Sequence, residues 1–276
     1  MTAIAVICIL AGQAADATAA TPPGSAPGPA SQPATRPAEP SVASGFLFKS
    51  LELDGRAFHY CVYVPAEYTP ERPWPVILYL HGSEVRGSDG LKQTDTGIAH
   101  AIRRDRSLCP AVVVMPQCPE GEGWSEGMLE LAVRCLQQTS GAYHLDARRV
   151  YLVGVSMGGA GVWLLGARFP DRFAALVPIA GFVSPPQAPP DPAAVQAAGE
   201  RLTAVPIWCF HGEQDRNVLV EHSRKMVEAI RAAGGDVKYT ELSAGGHNIG
   251  ERILSDARLW EWLFAQTRAA ASQPAP

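Results

Sequence analysis

The sequence predicts an α/β fold, with a mostly parallel central sheet, an antiparallel hairpin at its N-terminal edge and helices on both faces. Three observations lead there. From Pro75 onward, short β-branched runs alternate with amphipathic segments, the pattern of strands joined by crossover helices. The strand-like runs are almost continuously apolar, as parallel strands covered on both faces must be. At the start, Asp54-Gly55 stands between two runs of strand character, a strong hairpin signal.

Taken in order, Phe46-Leu53 and Ala57-Pro65 form the hairpin. Pro75-Leu80, Ala111-Met115, Arg149-Val155, Ala174-Ile179, Pro206-Phe210 and Val237-Leu242 form the remaining strands. Helices are expected over Gly97-Arg104, Glu126-Ser140, Met157-Phe169, Val218-Ala233 and Glu251-Thr267. Ligand sites in such sheets gather at the carboxyl ends of the strands, so chemistry is sought there.

The folded part is expected over residues 46-268, large enough for one well-developed core and too small for two typical domains. Before it, residues 1-20 resemble an export signal. Ala3 to Leu10 is a short apolar run, and Ala17-Thr18-Ala19 offers a cleavage site, although no Lys or Arg precedes the run. The run is too short to span a bilayer, and the expected location is secreted or periplasmic. Cys8 does not make a lipoprotein signal, because bulky Ile7 stands before it. Residues 21-45 are rich in Pro, Ala, Ser and Gly and read as a disordered tether; 269-276 read as a frayed tail. Charged residues make up 18% of the chain and the formal net charge is -4, with no basic stripe, which excludes nucleic acid as an expected partner. Cys61, Cys109, Cys118, Cys135 and Cys209 form an odd set. Cys61 and Cys209 fall in strands and read as buried thiols, while Cys118 and Cys135 flank a loop and have the option of bridging. No CxxC or HExxH is present, so neither a metal nor another cofactor is expected.

The strongest chemical signal is Gly154-Val155-Ser156-Met157-Gly158. It ends one strand and opens a helix. A serine there sits on a tight strand-to-helix turn, its hydroxyl raised above the sheet, with glycines where side chains would collide. A phosphate-binding loop would need a Lys that is missing. A serine hydroxyl needs a base. His247, in Gly245-Gly246-His247-Asn248 after the last strand, fits the chain order Ser, acid, His. His59, His100 and His144 precede the serine; His81 and His211 end strands and read as turn braces; His222 falls inside a helix. Asp215, between a buried strand and a helix, is the candidate acid, with Glu213 as competitor and helix capping as its plainer role. Backbone donors for an oxyanion are expected at Met157 and Ser83, with Glu84 N–H as the alternative to Ser83.

At these residues the chain resembles a known group. Leu80-His81-Gly82, Arg86-Gly87-Ser88-Asp89, Met115-Pro116-Gln117-Cys118, Trp124 and Asp146-Ala147-Arg148-Arg149-Val150-Tyr151 lead into Gly-Val-Ser-Met-Gly-Gly. Together they resemble the α/β-hydrolase esterases related to polyhydroxybutyrate depolymerases and feruloyl esterases, a group that also holds predicted peptidases with a prolyl-oligopeptidase-like catalytic domain. The resemblance runs from about Phe46 to Thr267 and departs from the pattern at Glu84-Val85, where small residues are usual. It implies an α/β-hydrolase fold, Ser156, Asp215 and His247 as triad, Ser83 and Met157 as oxyanion donors, and no cofactor. Trp124, with Glu84, is then a candidate substrate-binding residue; core packing is the alternative for Trp124.

The expected function is serine-dependent hydrolysis of short-chain or aryl carboxylic esters, free or linked to a polysaccharide. The alternatives are a serine peptidase, a polyhydroxyalkanoate depolymerase-like esterase, or a binding protein that keeps the same constellation. No polymer-binding module is legible in the 276 residues. Between Gly181 and Val205, where interfacial lipases carry a lid, Pro185-Pro186, Pro189-Pro190 and Pro192 restrict helix formation. Ala193-Leu202 forms at most one short helix without a broad apolar face, so an open groove is expected.

Overall fold

A computed structural model describes residues 42-269. The expected signal segment, most of the expected tether and the tail beyond residue 269 lie outside the described residues.

Strands β1 (Gly45–Leu53) and β2 (Arg56–Val64) pair antiparallel, with Leu53 opposite Arg56. Asp54 and Gly55 both take positive φ, 52° and 74°, as the tight turn of a twisted hairpin requires. Six strands follow: β3 (Trp74–Leu80), β4 (Val112–Pro116), β5 (Leu145–Val155), β6 (Ala175–Ile179), β7 (Ile207–Gly212) and β8 (Val237–Leu242). They complete one eight-stranded sheet in the order β1-β2-β4-β3-β5-β6-β7-β8. Strand β2 joins β4 antiparallel, and every pairing from β4 to β8 is parallel.

Two apolar layers sandwich this sheet, because alternate residues of one strand face opposite ways. Val76, Leu78 and Leu80 point to the layer built by α2 (Glu126–Ala142), α3 (Met157–Arg168), α4 (Pro192–Arg201) and α5 (Glu221–Ala232). Ile77 and Tyr79 point to the layer of α1 (Gly97–Arg104), α6 (Gly250–Leu254) and α7 (Ala257–Ala265). Strand order, parallel pairing and two-sided helix cover are those of an α/β hydrolase, as expected.

Three boundaries differ from expectation. The segment read as one helix over 251-267 is two, because Asp256 accepts a hydrogen bond from Arg258 N–H and starts α7 afresh. The helix expected from Val218 begins at Glu221, since Val218 N–H is taken by the Asp215 side chain. Strand β5 starts at Leu145, four residues early; its first residues include Asp146, Arg148 and Arg149, whose polarity hides the strand pattern.

The cysteines are corrected as well. Cys118 and Cys135 are not bridged, and all five cysteines among the described residues are free and buried. Burial pushes the thiols of Cys61, Cys109, Cys135 and Cys209 up to about 12 and that of Cys118 to about 11. Since only the thiolate is nucleophilic, an alkylating reagent at pH 8 should leave these five unmodified until denaturant is added. Peptide mapping checks this, and rapid native labelling at any of them would contradict the packing described.

Candidate active site

Ser156 ends β5 and opens α3 with φ 56° and ψ -118°, a backbone state that non-glycine residues rarely adopt. The turn is held at both ends. Ser156 N–H donates to Ile179 O of β6 at 2.8 Å, and Ser156 O accepts from Ala160 N–H at 3.0 Å. A side chain at Gly158 would collide with the Leu80 carbonyl, so the first turn of α3 sits directly on the end of β3. A Cβ at Gly159 would stand 2.7 Å from Ile179 O and 2.8 Å from Gly181 Cα.

The hydroxyl of Ser156 lies 2.8 Å from His247 Nε2, and His247 Nδ1 lies 2.8 Å from Asp215 Oδ2. Nδ1–H donates to the carboxylate, which leaves Nε2 free to accept the serine proton. The His247 side chain is 18% exposed and that of Asp215 is fully buried. The loops after β5, β7 and β8 thus bring together three residues separated by up to 91 positions.

Asp215 divides its two oxygens. Oδ1 accepts from Asn217 N–H at 2.8 Å and Val218 N–H at 2.9 Å, shaping its own turn. Oδ2 faces His247 and, at 3.3 Å, His211 Nε2. Burial alone would raise this carboxyl, but the hydrogen bonds from His211, His247, Val218 and Asn217 outweigh it. They hold the group well below the usual carboxylate range. His211 is a partner that the sequence reading assigned only to bracing. Its Nε2–H faces two acceptors, Asp215 Oδ2 and Val218 O, and its Nδ1 accepts from Ser223 Oγ–H at 2.7 Å. The available signal was its spacing of four residues before Asp215.

An open cleft of about 900 Å³ lies over Ser156, lined also by Ser83, Glu84, Arg86, Met157, Phe182 and His247. Ser83, Glu84 and Met157 therefore line the same cleft as Ser156. Trp124 does not. It is buried, its Nε1–H donates to His81 O at 2.9 Å, and its ring packs edge-on against His81. Its indole supports the β3 end from beneath instead of lining the cleft, because the loop after β4 carries it under His81. Helix α4 leaves the cleft uncovered, since it packs against α5 and α3.

The constellation stands in a familiar setting. The family model described as "Putative esterase" matches residues 50-252. This chain belongs to that esterase family. It is similar to a solved thermostable esterase, with a TM-score of 0.70 and 31% identity, covering 81% of this chain and 63% of that one. A solved ferulic acid esterase superposes with a TM-score of 0.62 at 19% identity, covering 82% of this chain and 96% of that one, a likeness of fold. An uncharacterized secreted protein of Arthroderma benhamiae is 26% identical over 199 residues, 63% of this chain and 21% of that protein. The chain thus spans 21% of one curated relative and 40% of another. No helix among the described residues is long and apolar enough to cross a membrane.

His81 provides a test of this framework. It is buried, with Nδ1–H donating to Gly82 O at 2.6 Å and Nε2 accepting from Cys118 N–H at 2.9 Å, so a second ring proton would face a donor. Burial, with the nearby Arg86 charge, lowers it from 6.5 to about 4. Between those values the unfolded chain binds a proton that the folded one refuses. Stability should therefore fall as pH drops through that window and level off below it, by on the order of 3 kcal/mol for this group. Denaturant titrations from pH 4 to 8 should show a shallower slope in His81→Gln; an unchanged slope would mean that folded His81 takes up its proton as readily as the unfolded one.

Proposed function

We propose that this esterase is a serine carboxylic-ester hydrolase working through an acyl-enzyme, with Ser156 as nucleophile, His247 as general base and acid, and Asp215 as the group that orients the imidazole. The observation that carries this reading is the unbroken line of 2.8 Å contacts from Asp215 through His247 to Ser156 at the floor of an open cleft. Ser156 Oγ attacks the ester carbonyl carbon as its proton passes to His247 Nε2. The tetrahedral oxyanion is received by the N–H groups of Met157 and Ser83. Collapse expels the alcohol, which takes the proton from Nε2; a water activated by the same imidazole then releases the acid and restores Ser156. The buried negative charge of Asp215 stabilises the imidazolium formed in both halves.

The acyl preference proposed is short, acetyl to butyryl. Each buried CH₂ is worth about 0.8 kcal/mol, and an uncovered cleft gives a long chain little surface on which to gain it. Trp124 is out of reach of an aryl acid, because its indole is buried under His81. Export, read from residues 3-19, belongs to the same proposal.

Replacing Ser156 with Ala should leave a folded protein and lower ester turnover by at least about a thousandfold, because only binding and oxyanion stabilisation remain. A serine-directed organophosphate should label wild type at Ser156 alone by peptide mapping, and labelling elsewhere would overturn the assignment. Rates should fall from butyrate to palmitate esters without a jump at the micellar threshold; a steady climb would require a tunnel or lid. Cleavage of peptide amides in preference to esters would move the protein to the peptidase alternative.

A further inference from the structure

The cleft wall, which also carries Glu84 and Glu251, holds a cation that forms no ion pair among the described residues. Arg86 follows β3 on the loop that also carries Ser83 and Glu84, and it lines the cleft beside Met157. No carboxylate among the described residues forms an ion pair with it: Glu251 pairs with His100, and the Glu84 carboxylate folds back over Gly82. Its Nη2–H meets the Met157 thioether at 2.9 Å, a weak acceptor, and its Nε is shielded from solvent with no partner. Loop rigidity makes this a fixed feature. Gly87 N–H donates to Cys118 O at 3.0 Å, and Gln117 ties Gly90 N–H and the Asp89 carboxylate to the end of β4. A guanidinium held half-buried, with donors unspent and in a cleft, is suited to a planar anion that accepts two parallel hydrogen bonds.

Resting on the serine-esterase reading of the same cleft, we propose that Arg86 binds a carboxylate on the acyl part of the substrate, so that the preferred esters are half-esters of short dicarboxylic acids. Sheet order decides which part of the ester carries that charge. Ser156 ends β5; β3 and its loop flank β5 on one side, while β7 and β8, with Asp215 and His247, lie on the other. The leaving alcohol must face His247 to receive its proton, so the acyl chain runs the opposite way, toward Arg86. The Met157 thioether is the contact that the carboxylate displaces.

The test compares monomethyl glutarate with methyl glutaramate, an amide of the same length without the charge, by titrating released acid. Wild type should favour the anion by about tenfold or more in kcat/KM, mainly through KM, in keeping with a charge-assisted hydrogen bond. In Arg86→Gln that ratio should fall to about one, and Arg86→Lys should retain part of it. The ratio is insensitive to general damage. An equal loss on both esters, leaving the ratio intact, would overturn the proposal and make Arg86 a support of Met157 or of the oxyanion. A greater preference for 3-acetoxypropionate, whose carboxylate lies in the alcohol, would overturn the acyl placement. Independently of turnover, calorimetry should detect monomethyl glutarate binding to Ser156→Ala and at least tenfold weaker binding to Ser156→Ala/Arg86→Gln; equal binding would also overturn it. Failure of the serine-esterase reading is distinct, because it appears as full turnover of the neutral ester by Ser156→Ala.

Discussion

The turn at Ser156 is the constraint on which the rest of the site depends. A non-glycine residue with φ 56° lies in a sparsely populated region that costs about 1 to 3 kcal/mol and persists only when its surroundings over-determine it. Here they do, through the hydrogen bonds to Ile179 O and from Ala160 N–H, and through α3 seated on the Leu80 carbonyl. The same contacts fix the height of the hydroxyl above the sheet. They also set the start of α3, whose first N–H groups lack partners within the helix, at the cleft that Met157 lines. In the proposed mechanism, loosening the turn would cost both nucleophile position and oxyanion donors, because one piece of backbone supplies both.

The second requirement is a buried negative charge. A carboxylate removed from water is costly unless its lone pairs are filled, and Asp215 fills them from two backbone N–H groups and two imidazoles. His211 is fully buried and tied to Ser223 on α5, so the carboxylate is braced against the helix that follows it. Its ionised state and its position therefore come from one network. On the other flank His81 plays a neutral part, bridging the ends of β3 and β4 and resting on Trp124. Polar braces thus hold the strand ends, and the apolar layers hold the sheet.

Between these flanks the cleft takes its character from loops. The Pro-rich stretch after β6 runs to the β7–α5 loop, where Leu219 N–H donates to Pro186 O at 3.0 Å, and it places Phe182 and Pro186 at the edge of the cleft. Helix α4 spends Val195 and Gly199 on its neighbours, with Gly199 in close approach to Ala229 of α5. That packing leaves it no apolar face to lay over Ser156. Glu84, at the point where the sequence departs from the small residues usual after His-Gly, and Arg86, within the motif that follows, add charge of both signs to the opposite wall.

Periodicity and turn chemistry by themselves determined the α/β architecture, the opening hairpin and the position of Ser156 on a strand-to-helix turn. These are local properties: Asp54-Gly55, the apolar runs and the glycines around Ser156 each act within a few residues. Chain order, with the helical setting of His222, further reduced seven histidines to His247. What local pattern does not encode is how side chains distant in sequence meet. Trp124 looked equally suited to cleft or core, and only the packing of the β4 loop beneath His81 put it in the core. His211 gained its contact with Asp215 when β7 and α5 closed around it, and the break between α6 and α7 emerged where Asp256 found an N–H to cap. That no carboxylate among the described residues pairs with Arg86 was equally invisible, since the absence of an ion pair depends on where every neighbouring side chain comes to lie.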